Sequence, residues 1–97
     1  MYGLKEEILN DIINVFKKYE TLEKAYLFGS RARGDYKDIS DIDIAIVSDD
    51  NITFKILRDL DDLRCIHTFD VVNMKDIGDM LKENIEKDKV CIYEKIK

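Results

Sequence analysis

Three aspartates carry most of the chemistry open to this sequence. Asp41 and Asp43 flank Ile42 in the run Asp41-Ile42-Asp43-Ile44-Ala45-Ile46-Val47. In an extended chain, residues i and i+2 share a face, with Cα atoms roughly 6–7 Å apart. Two like charges at ~6.5 Å repel by roughly 2–3 kcal/mol at an effective dielectric of ~20. If buried, such a pair needs protonation, basic partners or a cation. Oxygen-only ligands select Mg2+, Mn2+ or Ca2+ rather than Zn2+. The alternative is a strand end at the surface, where Asp-Ile-Asp is ordinary amphipathic alternation. Asp70 interrupts a second β-type run, Thr68-Phe69-Asp70-Val71-Val72. A carboxylate among Phe and Val in a central strand is costly unless partnered. If the two strands are neighbours, three carboxylates converge.

Gly29-Ser30 follows the short apolar run that ends at Phe28 and precedes Arg31-Ala32-Arg33-Gly34. A turn from strand into helix exposes unpaired N–H groups that suit a phosphate. Glycine permits close backbone approach, and serine adds a hydroxyl donor. The competing reading is a plain turn. Three carboxylates facing a phosphate-binding turn make a two-metal phosphoryl-transfer site, in which one ion holds a triphosphate and the other lowers the pKa of an attacking hydroxyl.

The elements that must position these residues follow from periodicity. Leu4, Ile8, Leu9, Ile12, Ile13, Phe16 and Tyr19 recur at helical spacing and predict a helix over 4–19. Residues 24–28 suit a short strand, and 29–34 a tight turn opening a short helix that Gly34 ends. Residues 35–40 read as a polar loop. Ile42, Ile44 and Ile46 alternate, and the apolar density at 44–47 predicts a strand buried on both faces. Asp49-Asp50-Asn51 is a turn with helix-capping candidates. Phe54, Leu57, Leu60 and Leu63, with Ile56 beside them, predict a helix. Residues 67–72 are β-rich. Ile77, Met80, Leu81, Asn84 and Ile85 give a further helical stripe, and 90–93 a last strand with Cys91 buried in it. The order α, β, short α, β, α, β, α, β predicts an α/β or α+β domain: a small mixed sheet of about four strands with helices on at least one face.

With 97 residues the chain suits one domain over 1–97. It is 45% apolar and 38% charged, the latter well above the ~25% average. The 21 acidic and 16 basic residues give a net charge of −5, which argues against a general nucleic-acid binder. Four glycines, no proline and two cysteines exclude collagen-like and disulfide-scaffold classes. No apolar run approaches the ~18–20 residues of a transmembrane helix, so no membrane partner is expected. The acidic start at Glu6-Glu7 is unlike a secretory signal, and a cytoplasmic protein is expected. Cys65 and Cys91 read as free thiols, and His67 as a structural or surface residue.

Gly29-Ser30, ten intervening residues and Asp41-x-Asp43 resemble the signature of the DNA polymerase β-like nucleotidyltransferase superfamily. The fuller string, Gly-Ser-Arg-Ala-Arg-Gly-Asp followed by Ser-Asp-Ile-Asp-Ile-Ala-Ile, is similar to the minimal nucleotidyltransferase (MNT) family of prokaryotes. The likeness covers essentially the whole chain, including the leading helix, Asp70 and the closing strand. It implies the polymerase β-like fold. It also implies an antitoxin of a type VII toxin–antitoxin module, paired with a helical HEPN-domain RNase toxin and forming a hetero-oligomer with it. The implied activity is protein adenylylation, moving AMP from ATP onto a toxin tyrosine with Mg2+ (two ions, or Mn2+) as cofactor.

By position, Gly29 and Ser30 match the phosphate-binding turn, Asp41 and Asp43 the metal-ligand pair, and Asp70 the third carboxylate. Arg33 is the better candidate for a nucleotide contact. Arg31 either adds charge near the triphosphate or is a solvated helix residue. Asp35 and Asp38 read as solvating loop residues, and Ser40 either orients Asp41 or caps the turn. Larger transferases of the superfamily carry an additional acceptor domain, and the length here implies an acceptor supplied by a docking protein. Two alternatives stand beside this: an antitoxin acting by stoichiometric contact with vestigial carboxylates, and a transferase for a small acceptor.

Overall fold

The computed structural model describes residues 2–37, 41–63 and 65–96. In chain order the elements are α1 (Glu6–Phe16), β1 (Leu22–Phe28), α2 (Ser30–Arg33), β2 (Ile42–Ser48), α3 (Thr53–Asp61), β3 (Phe69–Asn73), α4 (Asp79–Asp88) and β4 (Val90–Glu94). The four strands form one mixed sheet in the order β3-β2-β1-β4. β1 pairs antiparallel with both β2 and β4, while β2 and β3 run parallel, joined through α3. Parallel neighbours require such a crossover, whereas antiparallel ones do not.

Strand alternation divides the sheet into two unequal faces. Ala25 and Leu27 of β1, Ile42, Ile44 and Ile46 of β2, and Phe69 and Val71 of β3 face one way. They pack with Ile12, Val15 and Phe16 of α1 and Ile56 and Leu60 of α3. Fully burying an aliphatic side chain of this size contributes about 1.5–3 kcal/mol, so this layer anchors the fold. On the other face Ala45, Met74 and Ile85 form a smaller cluster, with Tyr26, Phe28, Val47, Val72 and Ile77 against it. The helices thus lie on both faces, with α4 on the sparser one.

The expected elements all form, with shifted edges and contacts. α1 is shorter than periodicity suggested because Lys5 is extended, but Leu4 remains buried outside the helix. In α3 the buried residues are Ile56 and Leu60, and Phe54 is 80% exposed. A spacing of three falls about 60° short of a full turn at each step, so the run from Phe54 to Leu63 walks around the helix, while spacing four stays on one side. No side chain caps α3; its N-cap is Ile52, so the capping role expected of Asp49, Asp50 or Asn51 is not realised. Met80 and Leu81 are exposed, because α4 meets the small cluster through Ile85. Cys91 is also exposed, contrary to expectation, since β4 is an edge strand with one face open. Both cysteines are free. No helix is long and apolar enough to cross a membrane among the described residues.

Candidate active site

The sparser face of the sheet collects the acidic residues at one end. Asp43 follows Ile42 in β2, and Asp70 follows Phe69 in β3. Because both Ile42 and Phe69 point into the large core, both aspartates point away from it. Parallel pairing sets Asp43 directly opposite Asp70. Asp41 precedes β2 by one residue and shares that side by its two-residue spacing. The Oγ1 hydroxyl of Thr68 donates to Oδ1 of Asp41.

These positions revise the burial argument. Asp41 and Asp70 are exposed and only Asp43 is half-buried. β3 is an edge strand, so Asp70 stands on open surface and its presence among Phe and Val carries no desolvation cost. What the structure does bring together is charge. Burial, the adjacent Asp70 and then Asp41 push the Asp43 carboxyl above its ordinary pKa, while Arg33 pulls it back. That combination identifies Asp41, Asp70 and Arg33 as its electrostatic neighbours.

The Gly-Ser turn lies against the same carboxylate. β1 ends at Phe28, which pairs with Asp43 across the ladder. Gly29 then has φ 74° and ψ −153°, a conformation open chiefly to glycine. A Cβ there would collide with Oδ2 of Asp43, so glycine is required twice over. Ser30 opens α2, a helix of four residues and too short for a substantial macrodipole. What the turn offers is backbone N–H groups at Gly29, which abuts Asp43, and the hydroxyl of the adjoining Ser30. Gly34 closes α2 in the left-handed region, its N–H donating to the Ser30 carbonyl at 2.9 Å.

The two arginines of α2 have different roles. Arg33 is exposed and ion-paired to Asp35 (3.2 Å) and to Asp88 at the end of α4 (3.1 Å). Arg31, which sequence reasoning left as a charge near the phosphate or a solvated residue, is 1% exposed. Its guanidinium donates to the Tyr2 carbonyl at 3.0 Å, meets Nδ1 of His67 at 3.3 Å and lies over the Tyr36 ring. Asp38 and Ser40 lie outside the described residues. Thr68 was missed. The signal for it was its position two residues before Asp70, which the parallel register sets beside Asp41.

Among the described residues, no three His, Cys, Asp or Glu side chains close into a metal cage as they stand. The donor set nevertheless fits Mg2+, which is usually held by one or two carboxylates together with substrate phosphates and water. Mutually repelling carboxylate oxygens on one open face are the chemistry such an ion neutralises.

Comparison with known proteins agrees with this geometry. Residues 10–97 match the family described as Polymerase beta, Nucleotidyltransferase. The chain belongs to that family. It is 44% identical over 54 residues to MJ0604 of Methanocaldococcus jannaschii, a protein named as a protein adenylyltransferase; the match spans 54% of each chain, so about half that relative's length. Among solved structures, a chain of a toxin–antitoxin crystallised with AMP-PNP is 25% identical with a TM-score of 0.76, covering 90% of this chain and 73% of that one. A Sulfolobus solfataricus protein named as a nucleotidyltransferase is 31% identical with a TM-score of 0.57, over 91% and 78%. A chain from a complex of the tri-AMPylated Shewanella oneidensis HEPN toxin with its MNT antitoxin shares the fold at 22% identity and a TM-score of 0.72, over 95% and 74%.

Proposed function

We propose that this protein is an antitoxin that transfers AMP from ATP to a tyrosine hydroxyl of a HEPN-type RNase toxin, with which it associates in the cytoplasm. The observation that carries the reading is the parallel seam, which sets Asp70 opposite Asp43 beside the Gly29–Ser30 turn. The MNT antitoxin complexed with a tri-AMPylated HEPN toxin and the toxin–antitoxin crystallised with AMP-PNP support the partner and the nucleotide. The relative named as a protein adenylyltransferase supports the reaction class.

In this reading the Ser30 hydroxyl and the N–H groups of the turn hold the triphosphate, and Arg33 adds positive charge. Asp41, Asp43 and Asp70 would hold Mg2+, which supplies charge neutralisation and lowers the pKa of the acceptor hydroxyl. The tyrosine hydroxyl releases its proton to solvent and its oxygen attacks the α-phosphorus; an O–P bond forms, the bond to the oxygen bridging the α- and β-phosphates breaks, and pyrophosphate departs. Asp70, exposed on the edge strand, faces the side from which a protein acceptor reaches the site.

The test is intact-mass spectrometry of the cognate toxin after incubation with ATP and Mg2+. The parent should add adenylyl units to it. Asp70→Asn should retain much of the nucleotide binding through Asp41 and Asp43, yet add none. A toxin inhibited at equimolar ratio with unchanged mass would refute the enzymatic reading in favour of stoichiometric contact.

A further inference from the structure

The start of β3 is stitched to the start of β2 twice. The Ile42 N–H donates to the Thr68 carbonyl at 2.9 Å, and the Thr68 hydroxyl donates to Asp41. The next residue back, His67, receives the Arg31 guanidinium at 3.3 Å on Nδ1. Arg31 is buried and follows Ser30 directly. Residues 67 and 68 therefore touch both halves of the candidate site, the phosphate turn through Arg31 and the carboxylate pair through Asp41.

Asp41 precedes β2 and is exposed. Its side chain has no core packing to select a rotamer, unlike half-buried Asp43 pressed against Gly29. The hydroxyl bond to one oxygen leaves the other free to ligate. Carboxylates that bind metals are commonly oriented in this way by a hydrogen-bond donor behind them.

We propose that Thr68 is a positioning residue, whose hydroxyl fixes the Asp41 carboxylate for the divalent cation that accompanies the nucleotide. His67 and Arg31 hold Thr68 in place by anchoring its segment to the phosphate turn. The inference rests on the nucleotidyltransferase reading of this site and adds to it a residue outside the Gly-Ser and Asp-x-Asp motif.

Thr68→Val keeps the β-branched shape and removes the donor, while Thr68→Ser keeps the donor. Calorimetry with AMP-PNP at a series of Mg2+ concentrations reads the effect without turnover. Thr68→Val should raise the Mg2+ concentration needed for half-maximal AMP-PNP binding about tenfold, at the lower end of the ~10–100-fold typical for such outer partners. Thr68→Ser should restore the parent requirement. Since Thr68 is exposed, the melting temperature of both variants should stay close to the parent's. An unchanged Mg2+ requirement in Thr68→Val, or a Ser variant as impaired as the Val variant, would overturn the positioning role and leave the site reading standing. A parent that shows no Mg2+-dependent AMP-PNP binding would overturn both.

Discussion

Asp43→Asn should make the metal-free protein more stable. Asp43 and Asp70 are ladder partners, so their carboxylates lie roughly 5 Å apart. At that separation two charges repel by ~3 kcal/mol at an effective dielectric of ~20 and by ~0.8 kcal/mol in water. Asp70 and Asp41 are exposed, which moves the figure toward the aqueous limit. Arg33 offsets part of the repulsion, while relief of the desolvation of half-buried Asp43 adds to the gain. The expected benefit is about 1–2 kcal/mol, or a melting rise of roughly 5–10 °C for a chain of this length. Its pH dependence has a definite sign. The folded-state pKa of Asp43 lies above its ordinary 3.8, so as pH falls the folded protein takes up the proton before the unfolded chain does. The penalty in the parent is full above the folded pKa and is relieved as pH falls through it. The advantage of Asn should be largest near neutrality and shrink in acid. Thermal denaturation in EDTA from pH 7 down to pH 4 measures this. A variant less stable than the parent at pH 7, or an advantage that does not shrink in acid, would refute the charge cluster. With Mg2+ and AMP-PNP the order should reverse, since ligand binding stabilises only the parent.

Gly29→Ala should destabilise the fold by about 1–2 kcal/mol through its positive φ and the collision with Asp43, and should abolish AMP-PNP binding; urea denaturation and calorimetry read the two effects. Ser30→Ala should weaken AMP-PNP binding by about 1–2 kcal/mol, the scale of a hydrogen bond to a charged group, with an unchanged melting temperature. Tyr19 is pushed up to about 12 by burial and by its bond to Asp59. Its raised pKa contributes stability that is whole below pH 10 and is lost as pH rises from there through about 12. Tyr19→Phe should flatten that part of the alkaline denaturation profile followed by circular dichroism.

Asp41, Asp43 and Asp70 could be singled out from residue types alone, because carboxylates inside apolar β-runs are visible without any structure. Their convergence could not. It depends on β3 lying beside β2 in parallel with Asp70 level with Asp43, and a one-residue slip would send Asp70 to the opposite face. Asp70 stands on an exposed edge strand, where a carboxylate among Phe and Val costs nothing, so burial does not mark it as functional. Arg31 shows the opposite limit. Its neighbours Tyr2 and His67 are remote in sequence, so nothing local announced a buried guanidinium. Phe54 and Met80 were misplaced because periodicity reports an apolar stripe without saying how wide a surface is available to cover it.

The parallel seam also dictates when the site can come into existence. An antiparallel hairpin-like pair such as β1 and β2 assembles by local closure, but β3 can take its place only after the chain has passed through α3 and returned to the same end of the sheet. Contacts of that kind require loop closure before they are rewarded. A chain with β1 and β2 paired but β3 undocked would present Asp41 and Asp43 without Asp70, and Asp41 without Thr68. Under the proposed function, competence for transfer would thereby depend on the docking of β3, a longer-range step than the pairing of β1 with β2.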